Sequence, residues 1–377
     1  MINKSLCAYP WRAAAIRPNG LVIPCCRYPH IDDPDSFVNS PNVRHSESWI
    51  KLRQDMLDGI PVEGCKSCYQ DEANGLESMR LFSLKHYVPT ENKTIPVEQF
   101  EVSFSNLCNL ACVHCSSFFS TKWYSEDVKM DRAKKIGIVS NNFNYDNWDL
   151  SKVRDLKIIG GEPFMEQDKF ISFMKKLQLE NIAVQICTNG TILPNKEMIE
   201  LLSKCKRVYM AVSLDGLQGT NDWFRWPSKF NEVIDNMKWY DEWAKKQKNI
   251  IPMIHHVVNL INVMELEEFM HFTRTTFPKW IIEWDWMRWP FWQRSSILPN
   301  DEKTKLVEKY NKLNIEYNDI SHYRSNPYKV TIDRLMEDNI SDWAEAKSEI
   351  LRISSERKLD FLTMVPKFKD FWNNYDQ

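Results

Sequence analysis

Three cysteines stand within eight residues of one another: Cys108, Cys112 and Cys115 in SFSNLCNLACVHCSS, a C-x3-C-x2-C spacing. Three thiolates so close in sequence can converge on one metal centre. They are one short of the four that close a zinc site or a fully cysteine-held iron–sulfur site. A cube cluster held by three cysteines leaves one iron open to another ligand, and an open iron is what a cluster needs to bind and cleave a substrate molecule. The alternative is a zinc site completed by His114, which would require His114 and its neighbour Cys115 to coordinate together; short loops rarely allow that. A second set lies nearer the N-terminus. It comprises Cys7, then Gly20 and Cys25 in a C-x12-G-x4-C spacing, then Cys65 and Cys68 as C-x2-C. Four thiols suffice for a tetrahedral zinc site or a complete cube cluster. Cys26 adjoins Cys25, and a one-residue slip would make it the ligand. Cys187 and Cys205 lie on apolar stretches and read as core residues.

Composition narrows the setting. Eight of the ten cysteines fall in the first 115 residues, and clustered cysteines in a cytosolic chain point to metal or redox chemistry rather than disulfides. The N-terminus lacks the basic head and long apolar stretch of a signal peptide, and no apolar run approaches the ~20 residues of a membrane span. A cytoplasmic protein with no membrane association is therefore expected. The 15 Trp, 19 Phe and 13 Tyr exclude a mainly disordered chain. A net charge of −2, from 49 basic and 51 acidic residues, gives no argument for a nucleic-acid partner. Glycine occurs only 10 times, where average usage would give roughly 26, so each glycine carries information.

The elements that must position these residues fall into three regions. Residues 1–97 read as irregular, with one amphipathic helix near 48–57, where Trp49, Leu52, Met56 and Leu57 recur at helical spacing. Residues 88–98 read as a polar linker. From residue 98 to 298 strands alternate with helices: strands at 100–105, 155–159, 183–188, 207–214, 250–258 and 280–286, with helical periodicity at 229–244 and 263–275. Six strands alternating with helices imply parallel βα units, hence an α/β fold built on a partial (β/α)6 TIM barrel. Residues 299–377 form a charged C-terminal helical extension, with helices expected at 301–313 and 341–357.

Polar motifs recur at the strand ends. After the second strand comes IIGGEPF with Gly160, Gly161 and Glu162; after the third, CTNGT with Asn189 and Gly190; along the fourth, VYMAVSLDGL with Ser213 and Asp215 on one face; and downstream Arg225 in NDWFRW. Each has a bland reading: a tight turn, a helix cap, a surface charge. With the C-x3-C-x2-C triad, in this order, the stretch from about residue 100 to 289 resembles the radical S-adenosylmethionine (radical SAM) superfamily. The resemblance implies a [4Fe-4S] cluster on Cys108, Cys112 and Cys115, with S-adenosylmethionine on its open iron. It further implies that His114 lies near the adenine. Gly160, Gly161 and Glu162 would hold the methionine amino group, Ser213 and Asp215 the ribose hydroxyls, and Arg225 the methionine carboxylate, with Asn189 among the cofactor contacts. Asn259 is a weak match for a fifth-strand motif.

The N-terminal spacing resembles the opening of the SPASM and Twitch auxiliary-cluster domains. The run CAYPW, NGLVIPCC, then SWIKLRQDMLDGIPVEGCKSCYQDEANGLESMR, is similar to Twitch-type radical SAM proteins, many of them phage-encoded, with the cluster domain before the barrel. That resemblance implies a second [4Fe-4S] cluster on Cys7, Cys25, Cys65 and Cys68 and a domain order of 1–97, 98–298 and 299–377. It implies an electron donor such as flavodoxin or ferredoxin. The implied reaction is reductive cleavage of S-adenosylmethionine to a 5′-deoxyadenosyl radical that abstracts a hydrogen atom from a substrate, a peptide or protein side chain by the commonest use of such members. The alternatives are a small metabolite, sugar or nucleotide as substrate, or a non-catalytic iron–sulfur or zinc module. Glu101, Ser103 and Ser105 on the first strand, and Glu283 and Asp285 on the sixth, are candidates to face a substrate; solvated edge charges are the other reading. Trp284 and Trp286, on the opposite face, read as packing against helices.

Overall fold

The computed structural model describes residues 4–29, 31, 33–73, 75, 77–89, 96–132, 137, 145, 148–316, 326–339 and 341–373; residues 90–95 of the expected linker lie outside this set. Its strands are β1 (Ala13–Ile16), β2 (Val22–Ile23), β3 (Gln99–Ser103), β4 (Asp155–Ile159), β5 (Ala183–Thr188), β6 (Arg207–Ser213), β7 (Ile250–Val258) and β8 (Ile281–Trp286). They form one sheet in the order β2-β1-β3-β4-β5-β6-β7-β8. The β1–β3, β3–β4, β4–β5 and β7–β8 ladders are parallel, and β1–β2 is antiparallel. The fold is α/β with a mostly parallel sheet, consistent with a partial barrel. All six expected strands are present to within two residues at either end. The expectation of an irregular N-terminal region is corrected, because β1 and β2 add to the sheet.

The chain divides into two compact units, the first comprising Met1–Cys108, Ser117–Ile186 and Pro194–Val208, the second Asn109–Ser116, Cys187–Leu193 and Tyr209–Gln377.

The helices of the first unit are α1 (Tyr9–Arg12), α2 (Glu47–Leu57), α3 (Lys66–Ala73), α4 (Met79–His86), α5 (Thr121–Lys129), α6 (Gln167–Met174) and α7 (Lys196–Ser203). Strand alternation sorts its side chains into two layers. Phe100 and Val102 of β3, Leu156 and Ile158 of β4, and Val184 and Ile186 of β5 are buried. The Phe100 ring stacks on Phe173 of α6 at 5.9 Å, and Phe104 meets Phe170 at 5.8 Å. Each fully buried aromatic of this layer contributes roughly 2 kcal/mol of hydrophobic stabilisation. The opposite faces are polar and in register: Glu101 pairs with Lys157, and Lys157 with Gln185. The β1–β2 turn depends on Gly20, whose φ of +85° L side chains rarely adopt; its N–H closes the turn on the Arg17 carbonyl at 2.9 Å.

The second unit carries α8 (Gln218–Phe224), α9 (Phe230–Lys246), α10 (Leu266–Thr276), α11 (Asn300–Glu316), α12 (Pro327–Leu335), α13 (Trp343–Arg357) and α14 (Phe361–Met364). α9 buries Phe230, Val233, Ile234, Met237, Tyr240 and Trp243 along one stripe. On β8 the alternation runs as expected: Ile282, Trp284 and Trp286 are buried, whereas Ile281, Glu283 and Asp285 are half-buried. Trp286 donates from Nε1 to Thr331 of α12 at 3.0 Å, and Trp284 meets Phe269 of α10 edge-on. The tryptophans thus pack against helices. The C-terminal helices also serve the rest of the unit: Trp223 donates to Ser354, and Arg357 to the carbonyl of Ala111 at 2.8 Å. Among the described residues, no helix is long and apolar enough to cross a membrane.

Candidate functional site

None of the ten cysteines is in a disulfide. In the first unit, Cys7 precedes α1, Cys25 follows β2 in a bend, Cys65 ends the short 3-10 turn Glu63–Cys65, and Cys68 lies on α3. Cys7 is buried in an apolar cluster with Ala8, Tyr9, Trp11, Leu52 and Met56, and Cys25 and Cys65 pack against it. The thiols feel one another's charge: Cys25 is influenced by Cys7 and Cys68, Cys65 by the same two, and Cys7 by Cys68. Burial pushes the Cys7 thiol up to about 11 and Cys65 up to about 12, and raises Cys25 well above the usual thiol range. Without a metal these groups stay protonated, so metal binding must release protons. A Cβ at Gly64 would come within 2.5 Å of the Tyr28 ring, so a larger residue there would have to displace that ring.

Cys26 has a different environment. Burial pushes it up to about 11, and its largest charged influences are Glu101, Lys157, Arg27 and Arg17.

Among the described residues, no three His, Cys, Asp or Glu side chains are arranged to hold a single metal ion. A tetrahedral zinc would draw four sulfurs to about 2.3 Å from one point. A four-iron cluster interposes its own irons and sulfides and holds its thiolates farther apart. Soft thiols in an apolar setting, with Cys7 and Cys68 both felt by Cys25 and by Cys65, are donors that either kind of centre takes.

The first unit also positions Cys108 and the Gly-Gly-Glu segment. Gly160 has φ +128°, and a Cβ there would meet the Ser105 carbonyl at 3.0 Å; at Gly161 a Cβ would lie 2.0 Å from the Leu107 carbonyl. The segment is bonded along that backbone, Gly161 N–H to Ser105 O at 3.1 Å and Glu162 N–H to Leu107 O at 2.7 Å. Only glycine permits so close an approach, and it fixes the chain that leads into Cys108. Cys108 is tied down by Thr121, which accepts from its N–H at 3.2 Å and donates to its carbonyl at 3.1 Å. The Glu162 carboxylate is buried and accepts from Phe164 N–H at 3.2 Å, so it also caps the turn that follows.

The second unit gathers Cys112, His114, Cys115, Asp215 and Arg225. Arg225 extends Nη1 to 3.9 Å from Cys112 Sγ and places Nη2 2.5 Å from Asp215 Oδ2. Asp215 is fully buried; its Oδ1 accepts from Val257 N–H at 2.8 Å, and Asn262 donates to its carbonyl at 2.8 Å. Burial works to raise the Asp215 carboxyl, and the Arg225 guanidinium outweighs it, leaving the group below the ordinary carboxylate range. The His114 ring stacks on Phe224 at 5.0 Å, and burial pushes it down to about 4. It is therefore a neutral, flat surface at pH 7. Burial also pushes Cys115 up to about 12. Asn189 donates to Asn109 at 2.9 Å and accepts from Thr191 N–H at 2.9 Å. Ser213 ends β6, half-buried. Asn259 is fully buried and braces its own turn, accepting from Ile261 N–H at 2.8 Å.

Residues without a motif to announce them support this constellation. Glu265 accepts from Leu217 N–H at 2.9 Å and Thr220 Oγ1 at 3.0 Å, and so pins the loop after Asp215. His256 bonds the Leu214 carbonyl at 2.8 Å. Neither has a local sequence signal, because both act across more than 40 residues of chain.

Residues 102–272 match the family model described as "Radical SAM superfamily". A GTP 3',8-cyclase of Desulforamulus reducens is 23% identical over 193 residues, 49% of this chain and 54% of the relative. These matches support a likeness to the radical SAM superfamily over residues 102–272. An Fe-coproporphyrin III synthase of Methanosarcina barkeri is 30% identical over 122 residues, 31% of this chain and 27% of the relative. The chain thus spans about half of the first relative and about a quarter of the second. The solved structure of anSMEcpe with bound AdoMet is 17% identical and covers 57% of each chain, with a TM-score of 0.40.

Proposed function

We propose that this chain is a radical SAM enzyme that abstracts a hydrogen atom from a peptide or protein side chain, with Cys108, Cys112 and Cys115 holding the reactive cluster. When bound, a cluster with one open iron supplies the electron that breaks a sulfur–carbon bond of S-adenosylmethionine. The observation that carries the reading is the buried nest of Cys112, Arg225, Asp215 and neutral His114 in the second unit. A guanidinium fork suits a carboxylate, an uncharged imidazole face suits an adenine ring, and the surrounding burial excludes water. Glu162 offers an acceptor to an ammonium group.

In this reading Cys7, Cys25, Cys65 and Cys68 hold a second, Twitch-like [4Fe-4S] cluster that accepts the product electron, binds substrate or braces the fold, and a flavodoxin or ferredoxin delivers electrons. A nucleotide or other small molecule is the second reading for the substrate, favoured by the relatives named GTP 3',8-cyclase. The test is anaerobic reconstitution, followed by mass spectrometry with candidate peptides and with nucleoside triphosphates in parallel. Formation of 5′-deoxyadenosine that Cys112→Ala abolishes is expected. Product mass changes in the peptide arm alone support the first substrate reading; changes in the nucleotide arm alone replace it with the second.

A further inference from the structure

The Cys7 thiol does not sit in a purely apolar wall. Its Sγ is 3.3 Å from Ser83 Oγ on α4. The same hydroxyl accepts from Ala8 N–H at 3.0 Å and lies 2.7 Å from the Arg80 carbonyl, to which it donates. Arg80, one turn earlier on α4 and also buried, donates from Nη1 to the carbonyl of Leu6 at 2.9 Å. Three hydrogen bonds therefore run from one turn of α4 to the consecutive residues Leu6, Cys7 and Ala8. The other side of Arg80 grips Glu72 through Nε at 2.8 Å and through Nη2. Glu72 lies on α3 four residues beyond Cys68, on the same helix face. Arg80 thus ties the segment bearing Cys7 to the helix bearing Cys68.

Ser83 has a single proton and two acceptors for it. Towards a protonated Cys7 it can accept, leaving its own proton on the Arg80 carbonyl. Towards a Cys7 thiolate it must donate, because a ligand sulfur has no proton to give. Hydrogen bonds to ligand sulfurs stabilise the added negative charge of a reduced cluster and raise its potential.

We propose that Ser83 and Arg80 are positioning residues for the Cys7 arm of an auxiliary iron–sulfur centre, Ser83 donating to the Cys7 sulfur and so setting the centre's reduction potential. This rests on the reading of Cys7, Cys25, Cys65 and Cys68 as cluster ligands.

The experiment is an anaerobic redox titration of the reconstituted full chain followed by electron paramagnetic resonance, with iron counted beforehand. In Ser83→Ala the iron content should equal that of the unsubstituted chain. One of the two couples should move to lower potential, with the reduced-to-oxidised ratio at a fixed potential falling about tenfold, or about 59 mV for one electron. Ser83→Thr, which keeps the hydroxyl, should restore it. If Ser83→Ala proves insoluble, Arg80→Gln provides the second arm and should shift the same couple in the same direction. Two clusters present with both couples unmoved in the soluble variants would overturn the role given to Ser83 and Arg80 and leave the ligand reading standing. An unsubstituted chain with only four irons would overturn the ligand reading itself.

Discussion

Arg225 Nη2 and Asp215 Oδ2 stand 2.5 Å apart, with the arginine side chain 7% exposed and the aspartate fully buried. The two residues that a radical SAM reading assigns to the ribose hydroxyls and to the methionine carboxylate of S-adenosylmethionine therefore neutralise each other. Removing one partner strands the other charge in a site without water. Asp215→Asn and Arg225→Gln should each destabilise the fold by about 3–5 kcal/mol, and the double variant by clearly less than their sum. Denaturant unfolding of the cluster-free chain measures this; additive losses would show that the pair does not act as a unit.

The same guanidinium is placed to serve the cofactor. Arg225→Ala and Glu162→Ala should both weaken S-adenosylmethionine binding, since each removes a charged partner from the methionine end. Equilibrium binding to reconstituted protein checks it. Normal affinity in Arg225→Ala would remove that residue from the cofactor site and leave it only the partnership with Asp215.

Gly161 tests the backbone cradle. A methyl group there would lie 2.0 Å from the Leu107 carbonyl, one residue before Cys108. Backbone cannot yield as a side-chain tip does, so Gly161→Ala should displace the Cys108 segment. Reconstituted Gly161→Ala should lose about four irons per chain, one cube cluster, while circular dichroism keeps its α/β character. Full iron retention would show that the strand end absorbs the methyl group.

These tests rest on features of unequal legibility. The strands β3 to β8 were readable because each carries β-branched or aromatic residues bounded by turn signals, as in Val184, Ile186 and Thr188. β1 was not: Ala13, Ala14 and Ala15 favour a helix at least as well, and what makes them a strand is the distant ladder to Gln99, Phe100 and Glu101. The cysteines and the Gly-Gly-Glu turn were visible because their chemistry depends on local spacing. Glu265, His256 and Asn262 were not, since their partners are 42 to 48 residues away. The second ring of a site is written in tertiary contacts.

Glu265 makes that second ring sensitive to pH. Burial pushes its carboxyl up to about 7, against the pull of Leu217 N–H and the Thr220 hydroxyl. A carboxyl whose pKa is raised in the fold holds its proton longer there than in the unfolded chain. Its stabilising contribution is therefore complete below the unfolded value near 4.5 and is lost as pH rises to about 7. The loss across that window is roughly 3 kcal/mol. Over an overlapping window His114 and His256 act with the opposite sign: pushed down to about 4 by burial, they resist the charge that the unfolded chain accepts near 6.5. Stability then falls as pH drops through that range. Glu265→Gln removes the one opposing contribution, so stability should rise more steeply between pH 5 and 7 than in the unsubstituted chain. Parallel thermal melts of the two chains from pH 4 to 8 would show it, and identical curves would exclude Glu265 as the titrating group.

The last prediction concerns the adjacent pair Cys25 and Cys26. The G-x4-C spacing after Gly20, matched to the SPASM-like pattern, favours Cys25 as the ligand. Both residues in fact lie beyond β2, in a bend and a turn, so strand alternation is not what separates them. Their surroundings do. Cys25 feels the charge of Cys26, Cys7 and Cys68, whereas the largest charged influences on Cys26 are Glu101 and Lys157. A ligand thiolate cannot be removed without opening a coordination site, but a bystander thiol can be replaced at modest cost. Cys25→Ala should therefore lose the second cluster, leaving about four irons per chain, while Cys26→Ala keeps about eight. Anaerobic reconstitution with iron and sulfide counted on the purified variants decides it. Loss of four irons in Cys26→Ala, with retention in Cys25→Ala, would transfer the ligand role to Cys26 and leave the remaining three thiols in place.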